Sequence, residues 1–269
     1  MSRIAVILYT HFSNQAVINN LLRLKSELTD QIHEYDLFAV GFCQDVNALM
    51  DIKSKGINTI VYTKDDLIRL PYENKLQSVN WITMRGSNDL ALMNFFMDNP
   101  TYDYYWIIEY DVVYSGNFGD LLATLDSSKA GLLCTHLSSF KQSPHWVHWD
   151  TFFSADDFEG SVELMRGFLP LSRASRPLVQ EIHDRCVRGW KGHYEVLWPT
   201  ISIRSGLGLE EIGGDGPYVP ETRRGKYYYS LLGPNGLFLS TFSAWPNYNA
   251  NSDIYHNSPP DILWHPVKI

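Results

Sequence analysis

The chain has 269 residues, 45% of them hydrophobic, and its 22 basic and 30 acidic residues give a formal charge of -8. A chain of this length and composition can bury a full core, and its negative charge argues against nucleic acid as the main partner, because phosphate backbones bind clustered Lys and Arg. The three scattered cysteines form no CxxC pair, which argues against a zinc site or a disulfide framework. Without a signal-peptide pattern or an apolar run of roughly 20 residues, we expect a cytoplasmic protein with at most peripheral membrane contact.

Strand and helix patterns alternate in the first half of the chain. The continuous apolar run at 3–9 is typical of a strand covered on both faces, and Ser13 or Asn14 then caps a helical pattern that reaches Leu28. Further strand patterns lie at 35–42, 57–62, 104–113 and 130–136, and helix patterns at 46–52, 88–97 and 120–125. This alternation predicts right-handed crossovers and a largely parallel sheet.

The second half is less regular. Residues 164–172 predict a strand, and Ser175 caps a helix that extends to about residue 187, with Pro177 in its first turn. A further helix is expected over 193–204, where Pro199 should kink or divide it. After residue 206 the chain is rich in Gly, Pro, Tyr and Asn, so we expect an irregular region there.

Two carboxylates stand at the end of the most apolar strand, in the phrase WIIEYDVVYSG. Alternation along a strand places Glu109 and Asp111 on the same side, where they repel one another unless a cation lies between them. Mg²⁺ and Mn²⁺ prefer carboxylate oxygens and also bridge diphosphates. The alternative is a solvated acidic pair near a turn, without a ligand.

Three motifs in chain order resemble those of the GT-A glycosyltransferases: WIIEYDVVYSG, GWKGHYEVLWPT at 189–200 and WHPVK at 264–268. The resemblance implies one domain over 1–269 with a Rossmann-like, mostly parallel sheet. Residues 1–136 would form the half that binds a nucleotide sugar, and 137–269 the half that binds the acceptor and carries the catalytic base.

The resemblance also implies roles for individual residues. Glu109 and Asp111 would take the place of the family's D-x-D pair and hold Mn²⁺ or Mg²⁺ on the donor diphosphate. His265 would complete the metal site, with His256 as the competing candidate, because neutral imidazole is a competent metal ligand. Lys268 would meet phosphate as a point charge. For either terminal histidine, the alternative is a surface residue.

Glu195 would be the catalytic base that accepts a proton from the acceptor hydroxyl, with Trp190 and His193 bordering the acceptor. A position near a helix start favours the ionised carboxylate through the helix dipole. The alternative for Glu195 is a helix-capping role beside a core tryptophan.

The end of the first strand is the expected nucleotide side, since open α/β sheets bind ligands at the carboxyl ends of their strands. There Tyr9 would stack on the base and Thr10 would donate or accept a hydrogen bond. Arg85 and Asn88, in MRGSND, would contact the nucleotide. A surface charge and an ordinary helix cap are the respective alternatives.

The function implied is inverting, metal-dependent transfer of a sugar from a nucleotide-diphosphate donor to a glycan or lipid-linked acceptor, as in polysaccharide biosynthesis. One alternative is a nucleotidyltransferase on sugar phosphates, but THFSNQ after the first strand lacks the Gly-rich phosphate loop usual in those enzymes. The other is a non-catalytic carbohydrate-binding protein. It would explain the many aromatic residues but not the E-x-D pair. The sequence leaves the oligomeric state open.

Overall fold

The computed structural model describes residues 2–29, 31–155, 163–232, 238–244, 248–249 and 259–268. Its strands are β1 (Arg3–Tyr9), β2 (Glu34–Phe42), β3 (Asn58–Tyr62), β4 (Tyr104–Glu109), β5 (Val113–Tyr114), β6 (Leu132–Ser139), β7 (Met165–Ser175), β8 (Leu209–Glu211), β9 (Ser230–Leu232), β10 (Phe238–Ser240), β11 (Tyr248–Asn249), β12 (Leu263–Trp264) and β13 (Val267–Lys268). Its helices are α1 (Gln15–Glu27), α2 (Met50–Ser54), α3 (Lys64–Leu67), α4 (Glu73–Gln77), α5 (Asp89–Asp98), α6 (Phe118–Leu125), α7 (Arg176–Val187) and α8 (Tyr194–Arg204).

Seven strands form the main sheet, in the order β3-β2-β1-β4-β7-β6-β8. Strand β7 runs antiparallel to both of its neighbours, β4 and β6, and every other pairing in this sheet is parallel. The predicted Rossmann-like, mostly parallel sheet is therefore confirmed. The carboxyl ends of β1, β4 and β6 and the start of β7 consequently meet at one edge of the sheet.

The sheet is covered on both faces, as the apolar run of β1 predicts. Ala5, Ile7 and Tyr9 pack into the core on one side, and Ile4 and Val6 pack into a second cluster on the other. In the part of the chain that the structure describes, no helix combines the length and the apolar composition needed to cross a bilayer.

Three predicted elements differ from those observed. The strand expected over 104–113 ends at Glu109, because a turn closed by the amide of Val112 on the carbonyl of Glu109 (3.0 Å) separates β4 from β5. The short helix expected at 46–52 forms instead at Met50–Ser54. Pro199 does not divide α8, since the residues on either side of it are almost fully buried and packing holds the helix through the proline.

A buried ion pair fixes β7 against β4 and the end of α6. Nη1 of Arg173 lies 3.1 Å from Oδ1 of Asp126, and both side chains are at most 1% exposed. The same carboxylate accepts hydrogen bonds from Trp106 and Tyr35. Arg173 also donates to three backbone carbonyls, so removal of the guanidinium would leave a buried carboxylate without its main counter-charge.

We predict that Arg173→Met lowers the free energy of unfolding by about 3–5 kcal/mol, the usual cost of removing one partner of a buried pair. Chemical denaturation measures this. The matched control is Arg176→Met, which removes a half-exposed guanidinium paired with Asp103 at 3.4 Å. Its expected cost is below about 1 kcal/mol. Equal losses in the two variants would contradict a structural role specific to the Arg173 pair.

Candidate active site

Two acidic residues and a histidine converge at the carboxyl end of β4. Nε2 of His265 lies 3.4 Å from Oδ1 of Asp111 and 3.9 Å from Oε2 of Glu109. One ligand atom from each of the three residues lies within 4.8 Å of the other two. The structure thus brings together the three residues predicted to hold a metal. The competing His256 lies outside the described residues.

The C-terminal segment reaches this site by pairing with β5. Strand β12 runs antiparallel to β5, with Trp264 opposite Val113, and the amide of Val267 donates to the carbonyl of Asp111 at 2.9 Å. These backbone contacts hold His265 directly over the turn that carries Asp111. Residues from two distant parts of the sequence therefore form one site.

The donor set fits a hard divalent cation. Oδ1 of Asp111 is buried and has no hydrogen-bond partner among the described residues. Nδ1 of His265 lies 2.8 Å from the carbonyl of Ser243, which can only accept, so Nδ1 is the donor of this hydrogen bond and Nε2 is the ring nitrogen that faces the carboxylates. Nε2 lies 3.4 Å from Oδ1 of Asp111, and a set of two carboxylates and one imidazole suits Mn²⁺ or Mg²⁺.

The charges around the two carboxylates differ. Burial by itself would raise the pKa of Asp111, but His265 and Lys268 outweigh it and hold the pKa below its ordinary value. Nζ of Lys268 lies 3.6 Å from Oδ2 of Asp111, and the lysine side chain is half exposed, so it can reach a ligand phosphate. Burial raises the pKa of Glu109, and the neighbouring charge of Asp111 adds to the rise.

The start of α8 lies against this cluster. The hydroxyl of Tyr194 donates to Oε1 of Glu109 at 3.2 Å, and Glu195 follows as the second residue of the helix. His193 is the N-cap and accepts from the amide of Glu195 through Nδ1 at 3.3 Å. Burial and the positive charges nearby lower the pKa of His193 to about 3, so its ring is neutral.

A buried lysine fixes the loop that precedes α8. Nζ of Lys75 lies 3.0 Å from Oδ2 of Asp89 and donates to the carbonyl of Gly192 at 3.1 Å. The indole of Trp198, on α8, donates to the same carboxylate at 3.1 Å. Lys75 and Asp89 are at most 1% exposed, so this network joins α4, α5 and α8 inside the core.

The predicted nucleotide residues occupy different surroundings. Tyr9 is buried at the end of β1 beside Glu109, and Thr10 is fully buried, with its hydroxyl donating to the carbonyl of Phe12 at 2.7 Å. Arg85 is exposed in the turn before α5. Asn88 makes no side-chain cap for α5, and its side chain lies beside Glu109, whose pKa it lowers.

Three rings that the sequence analysis did not single out lie beside the metal cluster, at the same edge of the sheet. Phe12 packs edge-on against His11 and Tyr110, each at a centroid distance of 4.9 Å. His11 and Tyr110 are 5.4 Å apart, and His11 is exposed. The sequence could have indicated these three rings only by their position, because they follow closely on the last residues of β1 and β4.

The residues predicted to border the acceptor divide between surface and core. Trp190 is 1% exposed, and its ring packs against the guanidinium groups of Arg185 and Arg204. His193 lies at the surface of the site, stacked on His148 at 4.2 Å. Trp146 packs edge-on against both histidine rings. The segment HWVHWD at 145–150 therefore supplies an aromatic wall beside α8.

No protein-family model matches the chain, and no curated protein matches it in sequence. It is similar to the structure of glucosyl-3-phosphoglycerate synthase from Mycobacterium tuberculosis in complex with Mn²⁺, UDP and glucosyl-3-phosphoglycerate, at 12% identity over 79% of this chain and 70% of that chain, with a TM-score of 0.46. A structure of the same enzyme with Mn²⁺, UDP and phosphoglyceric acid matches at 12% identity over 91% and 87%, with a TM-score of 0.44. The Mn/GDP form of core-mannan synthase A from Aspergillus fumigatus matches at 12% identity over 78% and 73%, with a TM-score of 0.39.

Glu195 has a carboxyl group whose pKa is strongly raised. Burial and the negative charge of Glu109 raise the pKa of Glu195 to about 8, against the ordinary value of 4.5. The helix dipole at the start of α8 does not offset these two effects. Between pH 4.5 and 8 the folded protein therefore retains a proton that the unfolded chain has lost, and stability falls as the pH rises through this window.

We predict that Glu195→Gln stabilises the metal-free protein more at pH 8 than at pH 5, because Gln carries no charge to bury at either pH. Each kcal/mol corresponds to about 2–4 °C in melting temperature for a protein of this size. Thermal melts of both proteins in EDTA at the two pH values measure the difference. A difference that is independent of pH would mean that Glu195 does not titrate in this window.

Proposed function

We propose that the chain is a metal-dependent, inverting glycosyltransferase that moves a sugar from a nucleotide-diphosphate donor to an acceptor hydroxyl. The observation that carries the proposal is the contact between a candidate metal site and the helix start that carries a candidate catalytic base. The cluster of Glu109, Asp111 and His265 has the donor atoms of a divalent-cation site, and the Tyr194–Glu109 hydrogen bond links it directly to the helix start that carries Glu195.

The donor would lie across the carboxyl ends of β1 and β4. A divalent ion held by Glu109, Asp111 and His265 would neutralise the diphosphate as it becomes the leaving group. Lys268 lies where its ammonium can add a second positive charge to the phosphates. The rings of His11, Phe12 and Tyr110 supply a surface on which a nucleobase could stack.

The acceptor would lie between Glu195 and the wall formed by Trp146 and His148. Its hydroxyl oxygen attacks the anomeric carbon while the bond between that carbon and the diphosphate oxygen breaks, and the hydroxyl proton passes to Glu195. The products are the glycosylated acceptor and a nucleoside diphosphate, with inverted configuration because a single displacement occurs. A cation that neutralises Glu109 removes one cause of the raised pKa of Glu195 and so favours the ionised base.

The Asp111→Asn variant tests the metal site. We expect it to lose stabilisation by Mn²⁺ together with UDP or GDP, and to lose transfer by more than roughly 100-fold, since even outer partners of a metal site cost about 10- to 100-fold when removed. Thermal shift with each nucleotide, with and without Mn²⁺, gives the first readout. The control, Asp51→Asn, removes an exposed carboxylate of α2, a helix that contributes no residue to the proposed site, and should behave like the wild type. Metal-dependent stabilisation that survives in Asp111→Asn would refute the site.

The Glu195→Gln variant tests the base. Its kcat should fall by roughly 10² to 10⁴, the range for a positioned acid or base, while nucleotide affinity changes far less. Turnover is measured as release of the nucleoside diphosphate from a donor identified by screening nucleotide sugars. The control is Glu181→Gln, which changes a carboxylate of α7 paired with Arg185. Normal turnover in Glu195→Gln would show that Glu195 is not the base, and the inverting stereochemistry inferred from it would then be wrong as well.

A further inference from the structure

Arg166 lies at the same edge of the sheet, on the acceptor side. It is the second residue of β7 and is paired in register with Ser138 of β6. Its Nε donates to the hydroxyl of Ser143 at 3.1 Å, and its guanidinium carbon lies 5.3 Å from the ring centroid of Trp146. The guanidinium is therefore oriented from two sides, by Trp146 of the aromatic wall and by Ser143 just before it.

The guanidinium belongs to the same cleft as the proposed base. The ring of Trp146 lies 5.8 Å from that of His193, and His193 caps the helix that carries Glu195. Arg166 and Glu195 also interact through their charges, and Arg166 lowers the pKa of Glu195 against the larger effects of burial and Glu109. The aromatic wall thus lies between Arg166 on one side and the helix start with Glu195 on the other.

Arg166 has no ion-pair partner within the described part of the chain. Two other arginines of limited exposure are paired, Arg185 with Glu181 at 2.6 Å and Arg223 with Glu210 at 2.7 Å. No described carboxylate lies within 4.0 Å of Arg166, and its two terminal nitrogens donate to no described residue. Burial of a cation without a paired counter-charge is unfavourable, so an anion that enters the cleft would recover this cost.

We propose that Arg166 binds an anionic group of the acceptor, a carboxylate or a phosphate, while the acceptor hydroxyl faces Glu195. This proposal rests on the proposed function for the identity of the ligand as an acceptor. The two terminal nitrogens form a planar fork that matches two oxygens of a carboxylate or phosphate. A neutral sugar would leave the guanidinium desolvated and unpaired, so the cleft would discriminate against it.

The test is a set of binding titrations, followed by NMR, with matched neutral and anionic sugars and no metal or nucleotide present. Methyl glucuronide is compared with methyl glucoside, which isolates the carboxylate, and glucose 6-phosphate with glucose, which isolates the phosphate. We expect at least one anionic member to bind about tenfold more tightly than its neutral partner. Which pair shows the larger ratio distinguishes a carboxylate from a phosphate.

Arg166→Gln should abolish that preference, and Arg166→Lys should retain part of it, because lysine keeps the charge but loses the fork. The control, Arg176→Gln, removes one positive charge just beyond the opposite end of β7 and should leave the preference intact. Equal binding of neutral and anionic sugars by the wild type, or an unchanged preference in Arg166→Gln, would overturn the proposal. So would a preference lost equally in the Arg176 control, since that would reflect net charge alone.

A separate measurement distinguishes failure of this proposal from failure of the proposed function. Stabilisation by Mn²⁺ with UDP or GDP should be the same in Arg166→Gln as in the wild type. If Arg166→Gln loses it, the guanidinium serves the donor diphosphate and the assignment to the acceptor is wrong, although glycosyl transfer stands. If the wild type shows the anion preference but no metal-dependent nucleotide stabilisation, the anion site stands and glycosyl transfer fails.

Discussion

Lys75 is a charged residue that is 1% exposed, and its ammonium group holds three segments that are distant in sequence. It pairs with Asp89 at the start of α5 and donates to the carbonyl of Gly192, just before α8. Asn88, one residue before Asp89, contacts Glu109 of the metal cluster, and Glu195 lies three residues after Gly192. A buried charge requires its partners at fixed positions, so one ammonium links the start of α5 to the loop that precedes α8.

The proposed function requires local positive charge at the two ligand sites, although the protein as a whole has a net charge of -8. On the donor side, Lys268 and a divalent ion would supply the charge that a diphosphate requires, so an extended basic surface is not needed there. On the proposed acceptor side, Arg166 would supply it. Between them, Glu109 and Glu195 repel each other, and this repulsion couples metal binding to ionisation of the base. The two ends of the cleft are thus electrostatically distinct.

Much of the fold follows from local patterns. The bounds of β1 and α1 agree with the apolar run and the Asn14 cap because both signals are short-range. Helix α8 shows the limit of such reasoning, since Pro199 predicts a break that the packing of its neighbours prevents. Thr10 is likewise predicted to contact the nucleotide from its position after β1, yet its hydroxyl donates a hydrogen bond to a carbonyl of its own turn.

By itself, the sequence determined the alternation of the sheet and the acidic pair at the end of β4, because residue type and spacing encode these features. The resemblance to GT-A motifs then indicated a C-terminal histidine, either His265 or His256, as a further metal ligand. Tertiary structure decided which of the aromatic residues remain at the candidate site: Trp190 is buried in the core, while Trp146 packs beside His193. It also decided the ionisation of Glu195, whose place in a helix favours the charged form but whose burial opposes it. Burial and the approach of distant charges are properties of the folded chain, and no local spacing contains them.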